Sequence, residues 1–149
     1  MMATREELGA AEYDAWQAFM DVVSRVPEDR RDEPTVVPGW SVKDIVWHNA
    51  YWALFGAEEI TRQSGGAFVD PFSAHDDAHW DGVNAEQVLA GRVLSWDEVL
   101  AQADQKRARA HELWSALGEV SDQAATFFAE ESSIHYDEHR EEIERFLEG

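Results

Sequence analysis

The chain has 149 residues with a formal net charge of −19, from 12 Lys and Arg against 31 Asp and Glu, and it contains no Cys and 7 Trp. This length normally forms one domain with a sizeable core, so we expect residues 1–149 to be a single domain. Because the large negative charge repels phosphate groups, we expect the protein to bind neither nucleic acid nor anionic membranes. The lack of cysteine excludes a thiol nucleophile, a disulfide and a thiolate metal site.

The first predicted helix occupies the N-terminal part of the chain. Apolar residues recur at spacings of three and four from Leu8 to Val26, which is typical of an amphipathic helix ending near Pro27. No apolar run typical of a signal peptide precedes this helix, and no later run is long enough to span a membrane. We therefore expect a cytoplasmic protein.

The second predicted helix follows a loop. The segment PEDRRDEPTVVPGW contains three prolines, which keep it out of regular structure. Ser41 and Asp44 then have the spacing of a capping box, and the helix that they open ends near Gln63. Because His48 lies on the apolar face of this helix, a histidine is predicted to face the core.

The middle of the chain is predicted to contain a loop, a short helix and a third long helix. Residues 64–82 show no periodicity and are interpreted as a long surface loop, with a short turn at most. Residues 84–93 can form a short helix. Ser95 and Glu98 form a second capping box, and the helix they begin continues to Gly118.

The last long helix follows a predicted connector at residues 119–131 and is expected to be capped by Ser132 or Ser133. Its inward face contains His135 and His139. Because no segment alternates regularly between apolar and polar residues, we predict an all-α protein. The architecture is a four-helix bundle with long connections and a possible short extra helix, in which consecutive helices need not be neighbours.

Three histidines on inward helix faces form a candidate metal site. His135 and His139 are four residues apart, so their rings lie on one helix face and can converge on one cation. His48 is the natural third ligand from a facing helix. Three neutral imidazoles with one open position are typical of catalytic zinc, nickel or iron sites. The alternative is that each histidine is simply a hydrogen-bonded core residue.

The other three histidines and the known motifs offer weaker candidates. His75 and His79 have the same spacing but lie in the predicted loop, where they could hold a surface cation, and His111 is interpreted as a partly exposed helix residue. The chain has no Glu-x-x-His pair of di-iron bundles, no HExxH, no phosphate-binding loop and no GxSxG. The inward histidines are therefore the one coherent site.

Three segments resemble the DinB/YfiT-like superfamily of four-helix metal-binding proteins: VPGWSVKDIVWHNAYW, the stretch from Asp81 to Leu117, and the ending HYDEHREEIERFL. The resemblance implies an up-down-down-up bundle, often dimeric, that binds zinc or nickel. The family's metal ligands fall on His48, His135 and His139. The superfamily includes mycothiol- and bacillithiol-dependent S-transferases, the mycothiol-dependent maleylpyruvate isomerase and a small hydrolase branch. The isomerase has an acidic ligand where this chain has His135.

The leading functional hypothesis is metal-dependent transfer of a low-molecular-weight thiol to an electrophilic small molecule, in a protein expected to be a homodimer. Because the chain has no Cys, the thiol must be a cosubstrate. Asp44 is a candidate to hydrogen-bond a ligand imidazole or a bound water, and Tyr136, Arg140 and Asn49 flank the ligands and are candidates to orient a polar substrate.

Two alternatives remain open from the sequence. In the first, the metal activates water, the protein is a hydrolase or detoxifying protein, and Glu138 or Glu142 is the general base, although both are expected to be solvated. In the second, the chain is a noncatalytic helical binding or dimerisation module. The net charge disfavours a thiol with several carboxylates unless Lys43, Arg62 or Arg140 provides a local positive patch.

Overall fold

The structure is a computed structural model that describes residues 3–149, and these residues contain α-helices, two short 3-10 turns and no β-strand beyond one isolated bridge between Val37 and Trp40. The 3-10 turns are Glu28–Arg30 and Pro71–Ala74. The helices are α1 (Arg5–Ser24), α2 (Val42–Arg62), α3 (Asp77–Arg92), α4 (Trp96–Ser115), α5 (Asp122–Glu131) and α6 (Ser133–Glu148). This confirms the predicted all-α fold.

Local sequence signals set the starts of the long helices. Ser41 accepts a hydrogen bond from the backbone N–H of Asp44, and the Asp44 carboxylate accepts one from the backbone N–H of Ser41. Ser95 and Glu98 form the same reciprocal pair at the start of α4. Each box satisfies two backbone donors that the first helical turn would otherwise leave free, so both predicted capping boxes are confirmed.

Helix α1 runs parallel to α6. Near the start of both helices, the Tyr136 hydroxyl donates to Glu12 at 3.1 Å. Near their ends, the guanidinium of Arg30, just after α1, donates to the backbone carbonyl of Phe146 at 3.4 Å. The two contacts advance together along both helices, which gives the two helices the same direction.

Helix α1 runs antiparallel to α4. Glu12 pairs with Arg107, and Trp16, one turn further along α1, donates through its indole N–H to Asp104, one turn earlier in α4. As the α1 numbers rise, the α4 numbers fall, so α4 has the opposite direction.

Helix α2 runs antiparallel to α6, which completes the topology. Lys43, in the first turn of α2, donates to the carbonyl of Leu94 just before α4. Ile60, near the end of α2, lines one cavity with Leu117, just after α4, so α2 is parallel to α4 and therefore antiparallel to α1 and α6. The directions of α1, α2, α4 and α6 are therefore up, down, down and up, as the resemblance implied. Helices α2 and α4 are parallel neighbours, so the chain must cross back between them.

Helix α3 provides this return, and it corrects the prediction of a loop over residues 64–82. The Asp76 side chain accepts from the backbone N–H of His79, so the helix begins at Asp77, well before residue 84. The sequence did not indicate this start because only three α3 residues are buried, which leaves little apolar periodicity. These residues are Gln87, Val88 and Gly91.

Helix α5 corrects the second connector. Residues 119–131 were predicted to be a connector, but Ser121 caps a helix there, and its apolar residues pack into the core, with Phe128 stacked on Trp114 at 4.0 Å between ring centroids. The backbone of Ser132 is not helical and separates α5 from α6, and its hydroxyl donates to the Phe128 carbonyl. The predicted cap by Ser132 or Ser133 is therefore wrong, since no side chain caps α6.

The bundle interior contains mostly apolar side chains together with a few buried polar ones, of which Glu12 is the centre of a hydrogen-bonded group. Trp16, Trp114 and Tyr136 are among the largest fully buried side chains, and Glu12 is also fully buried. Glu12 accepts two hydrogen bonds from Arg107 and one from Tyr136, which satisfies its carboxylate. None of the helices among residues 3–149 combines the length and the apolar character needed to cross a membrane.

Candidate metal centre

The three predicted ligand histidines come together between α2 and α6. Nε2 of His135 lies 3.0 Å from Nε2 of His48 and 3.0 Å from Nε2 of His139. One ligand atom from each of the three residues lies within 4.8 Å of the others, and no other such group of three or more His, Asp or Glu occurs in residues 3–149. The structure therefore unites the residues that helix spacing selected.

The three rings are arranged to bind a metal ion, because they cannot all hydrogen-bond to one another. Burial, and then the neighbouring histidines, hold the pKa of His48 well below its ordinary range, and burial followed by His139 lowers the pKa of His135 to about 3. Both imidazoles are therefore neutral at neutral pH. Each neutral Nε2 either carries one hydrogen or offers one lone pair, so His135 can form a proper hydrogen bond to only one of its two neighbours.

A divalent cation resolves this arrangement, because it can accept a lone pair from all three nitrogens at once. Three imidazole nitrogens fit zinc or nickel, which both bind imidazole well. No fourth His, Asp or Glu joins the group in the part of the chain that the structure describes. The donor set thus fits a metal with one position left for an exogenous ligand.

Two polar side chains face the outer nitrogens of the triad. The Gln87 amide nitrogen lies 3.2 Å from Nδ1 of His48, and a Glu142 carboxylate oxygen lies 3.2 Å from Nδ1 of His139. Glu142 was predicted to be solvated, and this is wrong: its side chain is only 21% exposed, because it lies one turn from His139 on the same inward side of α6. Glu138, in contrast, is exposed as predicted.

Gln87 is a functional candidate that sequence reasoning missed. Glutamine in a weakly amphipathic helix carries no signal of burial, yet Gln87 is only 5% exposed. Its position becomes visible only when α3 is seen to run along α2. The Trp40 ring also borders the triad, 4.7 Å from the His48 ring, and it reaches there from the loop before α2.

Asp44 and Tyr136 are both engaged by neighbours outside the triad. The Asp44 carboxylate accepts from the Ser41 backbone and from the guanidinium of Arg92, at 3.0–3.2 Å. Tyr136 is fully buried with its hydroxyl on Glu12, and burial raises the pKa of Tyr136 well above its ordinary range. Neither side chain hydrogen-bonds a triad histidine.

Arg140 and Asn49 lie beside ligands in the sequence but have different surroundings. The Arg140 guanidinium pairs with Asp137 and Glu144 along α6. Asn49 is fully buried, and neither polar atom of its side chain has a hydrogen-bond partner within residues 3–149. The structure thus places Arg140 in a surface ion-pair group and Asn49 inside the bundle.

The remaining histidines are separate from the triad. His75 and His79 are exposed, and their rings stack with centroids 3.8 Å apart. Stacked rings offer faces to each other, which is not an arrangement that converges two nitrogens on one cation. His111 is partly exposed, as predicted, and its Nδ1 lies 2.9 Å from Glu12.

Comparison with known proteins then identifies the family. A family model described as "Mycothiol maleylpyruvate isomerase N-terminal domain" matches residues 13–132, most of the chain. The protein belongs to this family. The match to the mycothiol maleylpyruvate isomerase N-terminal domain contains His48 but stops before His135 and His139. The assignment of those two residues to a metal site therefore rests on the geometry.

Solved structures confirm the fold of this chain. A crystal structure of a protein from Streptococcus pneumoniae has a TM-score of 0.76 and 12% identity, covering 99% of this chain and 92% of that chain. An uncharacterized protein from Clostridium difficile 630 has a TM-score of 0.76 and 11% identity, covering 99% and 98%. A search of curated proteins found no match.

Proposed function

We propose that the protein is a metal-dependent transferase that joins a low-molecular-weight thiol to an electrophilic small molecule, with zinc or nickel held by His48, His135 and His139. The observation that carries the proposal is the convergence of three Nε2 atoms, one from a buried and two from partly buried histidines, without a fourth ligand from residues 3–149. An open fourth position is typical of catalytic sites, whereas structural sites are closed by four protein ligands.

The thiol must come from outside the chain, because the protein has no cysteine. A divalent metal in such a site lowers the pKa of a thiol that binds it and so supplies a thiolate near neutral pH. The contribution of the chain is to keep the imidazoles of His48 and His135 neutral by burial and to hold all three rings in place. Trp40 forms an apolar side of the site next to His48 and would exclude water there.

The position of Glu142 favours thiol transfer over hydrolysis. A hydrolase would need a general base on the open side of the metal, within reach of a bound water. Glu142 lies instead at Nδ1 of His139, on the side of the ring that faces away from the converging Nε2 atoms. Nδ1 of His139 has no hydrogen-bond partner within residues 3–149, so the carboxylate acts there through its negative charge, which raises the basicity of the ligand ring and makes Glu142 a positioning residue.

The charges around the bundle favour a thiol without carboxylates. The Lys43 ammonium donates to the carbonyl of Leu94, Arg62 pairs with Glu59, and Arg140 pairs with acidic residues of α6. None of these three cations is free to bind an anionic thiol, and the chain carries a net charge of −19. We therefore propose a sugar thiol of the mycothiol class, in agreement with the name of the family.

The test is a conjugation assay on the full chain, loaded with zinc or nickel, using mycothiol, bacillithiol or glutathione with chlorodinitrobenzene. The thiol sulfur replaces chloride on the aromatic carbon, and chloride and the thiol proton are released. We expect metal-dependent turnover that is faster with mycothiol than with glutathione and is lost in His135→Ala. The exposed His75→Ala is the matched control and should retain the rate.

Two results of this assay would overturn the proposal. Equal conversion by the metal-free chain and by His135→Ala would show that the triad contributes nothing to the reaction. Metal-dependent cleavage of an activated ester in the absence of any thiol, without conjugation, would assign the site to hydrolysis.

A further inference from the structure

Gln87 of α3 is a buried neighbour of His48, and its side-chain amide can face the histidine ring in two orientations. Gln87 is 5% exposed and His48 is 6% exposed, and the amide of Gln87 lies against Nδ1 of His48 at 3.2 Å. Oxygen and nitrogen of a side-chain amide have nearly the same shape, so the amide can present either atom to the ring.

The two orientations of the amide give His48 two different tautomers. If the amide N–H donates to Nδ1, the ring hydrogen must be on Nε2, where it points into the crowded group with His135 at 3.0 Å. If the amide oxygen faces the ring, it accepts from Nδ1–H and leaves the Nε2 lone pair directed at the other two histidines.

The two orientations differ in their effect on His48 and hardly differ in the hydrogen bonding of the amide. The amide has one partner, Nδ1 of His48, and its oxygen is without a partner in residues 3–149 when the nitrogen faces the ring. Turning the amide leaves its NH2 group without a partner instead of its oxygen, so the amide itself gains little. At the ring, however, only the turned amide produces the neutral tautomer that can bind a metal through Nε2.

We infer that Gln87 is a positioning residue of the metal centre: its amide oxygen accepts the Nδ1–H of His48 and thereby holds Nε2 as the metal-binding atom. The inference rests on the proposed function, because it assigns the Nε2 atoms of the triad to a metal. It also gives helix α3 a part in the site, although α3 contributes no ligand.

The register of α3 on α2 is fixed on both sides of Gln87. One turn before it, Asn84 accepts a hydrogen bond from the Trp52 indole at 2.7 Å. One turn after it, Gly91 lies so close to Trp47 that an added Cβ would be 2.7 Å from the indole ring. These two contacts hold Gln87 opposite His48, as a positioning role requires.

The first test reads the tautomer of His48 directly, by nitrogen-15 NMR of the histidine rings in the metal-free full chain. Wild-type protein should show hydrogen on Nδ1 of His48, and Gln87→Leu should move it to Nε2. Gln87→Glu, which restores an acceptor, should keep it on Nδ1. Asn84→Leu is the matched control: it removes a partly buried α2–α3 hydrogen bond one turn away but should leave the tautomer unchanged.

The second test measures zinc affinity by competition with a chromophoric chelator. Gln87→Leu should bind zinc about 10–100-fold more weakly than wild type, and Asn84→Leu should stay within about threefold of it. An equal loss of zinc affinity in both variants would show that Gln87 acts only through packing and would overturn the inference. So would hydrogen on Nε2 of His48 in wild-type protein.

The two tests separate failure of the inference from failure of the proposed function. A wild-type chain that binds no zinc would contradict the proposed function, while the NMR measurement on metal-free protein would still decide the role of Gln87. Circular dichroism of each variant shows whether the bundle is folded, and Gln87→Glu serves as the second variant where Gln87→Leu does not fold.

Discussion

Nε2 of His48 lies 3.0 Å from Nε2 of His135, although the two residues belong to different helices. The contact depends on the antiparallel arrangement of α2 and α6, which in turn requires α3 to return the chain before α4. His139 joins them because it lies one turn after His135 on the same face. The topology of the bundle therefore determines the composition of the site.

Replacing Glu142 with Gln tests the carboxylate at the outer side of His139. The change removes the negative charge and keeps the shape, so the His139 ring loses the carboxylate beside its Nδ1. We expect zinc affinity to fall about tenfold or more in a chelator competition. Glu138→Gln, an exposed change on the same helix, is the control, and equal affinities in the two variants would contradict the role of Glu142.

Replacing Gly91 with Ala tests the close approach of α3 to α2. The new Cβ would meet the Trp47 ring at 2.7 Å, so α3 or the indole must move. We expect a loss of about 1–3 kcal/mol in the free energy of unfolding, measured in urea. Gly82→Ala has no atom within 4 Å of the new Cβ and should stabilise the same helix by about 0.5–1 kcal/mol. Destabilisation by both substitutions would show that the contact with Trp47 is not the cause.

Replacing Glu12 with Gln tests the buried ion pair between α1 and α4. Arg107 would remain buried with its charge unpaired, and the bond from Tyr136 that joins α1 to α6 would weaken. We expect a loss of about 3–5 kcal/mol in the free energy of unfolding. The exposed pair of Arg109 and Glu112 is the comparison: Glu112→Gln should change stability by less than about 0.5 kcal/mol. Similar losses in both variants would be contrary to this account.

Replacing Glu131 with Gln tests a pH dependence outside the triad. Burial, with the nearby negative charges of Glu130, Asp70 and Glu138, raises the pKa of Glu131 from 4.5 to about 8. Between these values the folded chain binds more protons than the unfolded chain, so this residue makes the free energy of unfolding fall as pH rises.

Glu131→Gln should remove that fall. In urea unfolding of the metal-free chain, the variant should be more stable than wild type above pH 8, by up to about 5 kcal/mol, because each unit of raised pKa corresponds to about 1.4 kcal/mol. The difference should disappear as pH approaches 4.5. The exposed Glu141→Gln should show no such pH-dependent difference. A constant difference across the whole pH range would contradict the raised pKa.

The sequence was sufficient for features that local rules determine. The capping boxes at Ser41 and Ser95 fixed two helix starts, because the reciprocal hydrogen bonds involve residues only three apart. The pairing of His135 with His139 follows from helix periodicity, and the inward position of His48 follows from the apolar residues around it. Together these rules located the triad without knowledge of the helix packing.

The remaining features depend on contacts between distant segments. The buried residues of helix α5 are four apolar residues within the short stretch from Ala124 to Phe128. The apolar pattern is too short to show the periodicity that indicates a helix in a sequence. Glu12 and Gln87 are polar residues whose burial is made possible by partners in other helices, Arg107 and His48. Hydropathy patterns carry no information on such partners, so the sequence did not indicate that these two residues are buried.

The metal content of the protein tests the central claim most directly. Tag-free protein is analysed for metals beside a double variant, His48→Ala with His135→Ala, and beside a control in which the exposed His75 and His79 are both replaced by Ala. We expect close to one zinc or nickel ion per chain in the wild type and the control, and none in the triad variant. Wild-type protein without metal, and without uptake of added zinc or nickel at neutral pH, would contradict the metal centre and favour a noncatalytic helical module.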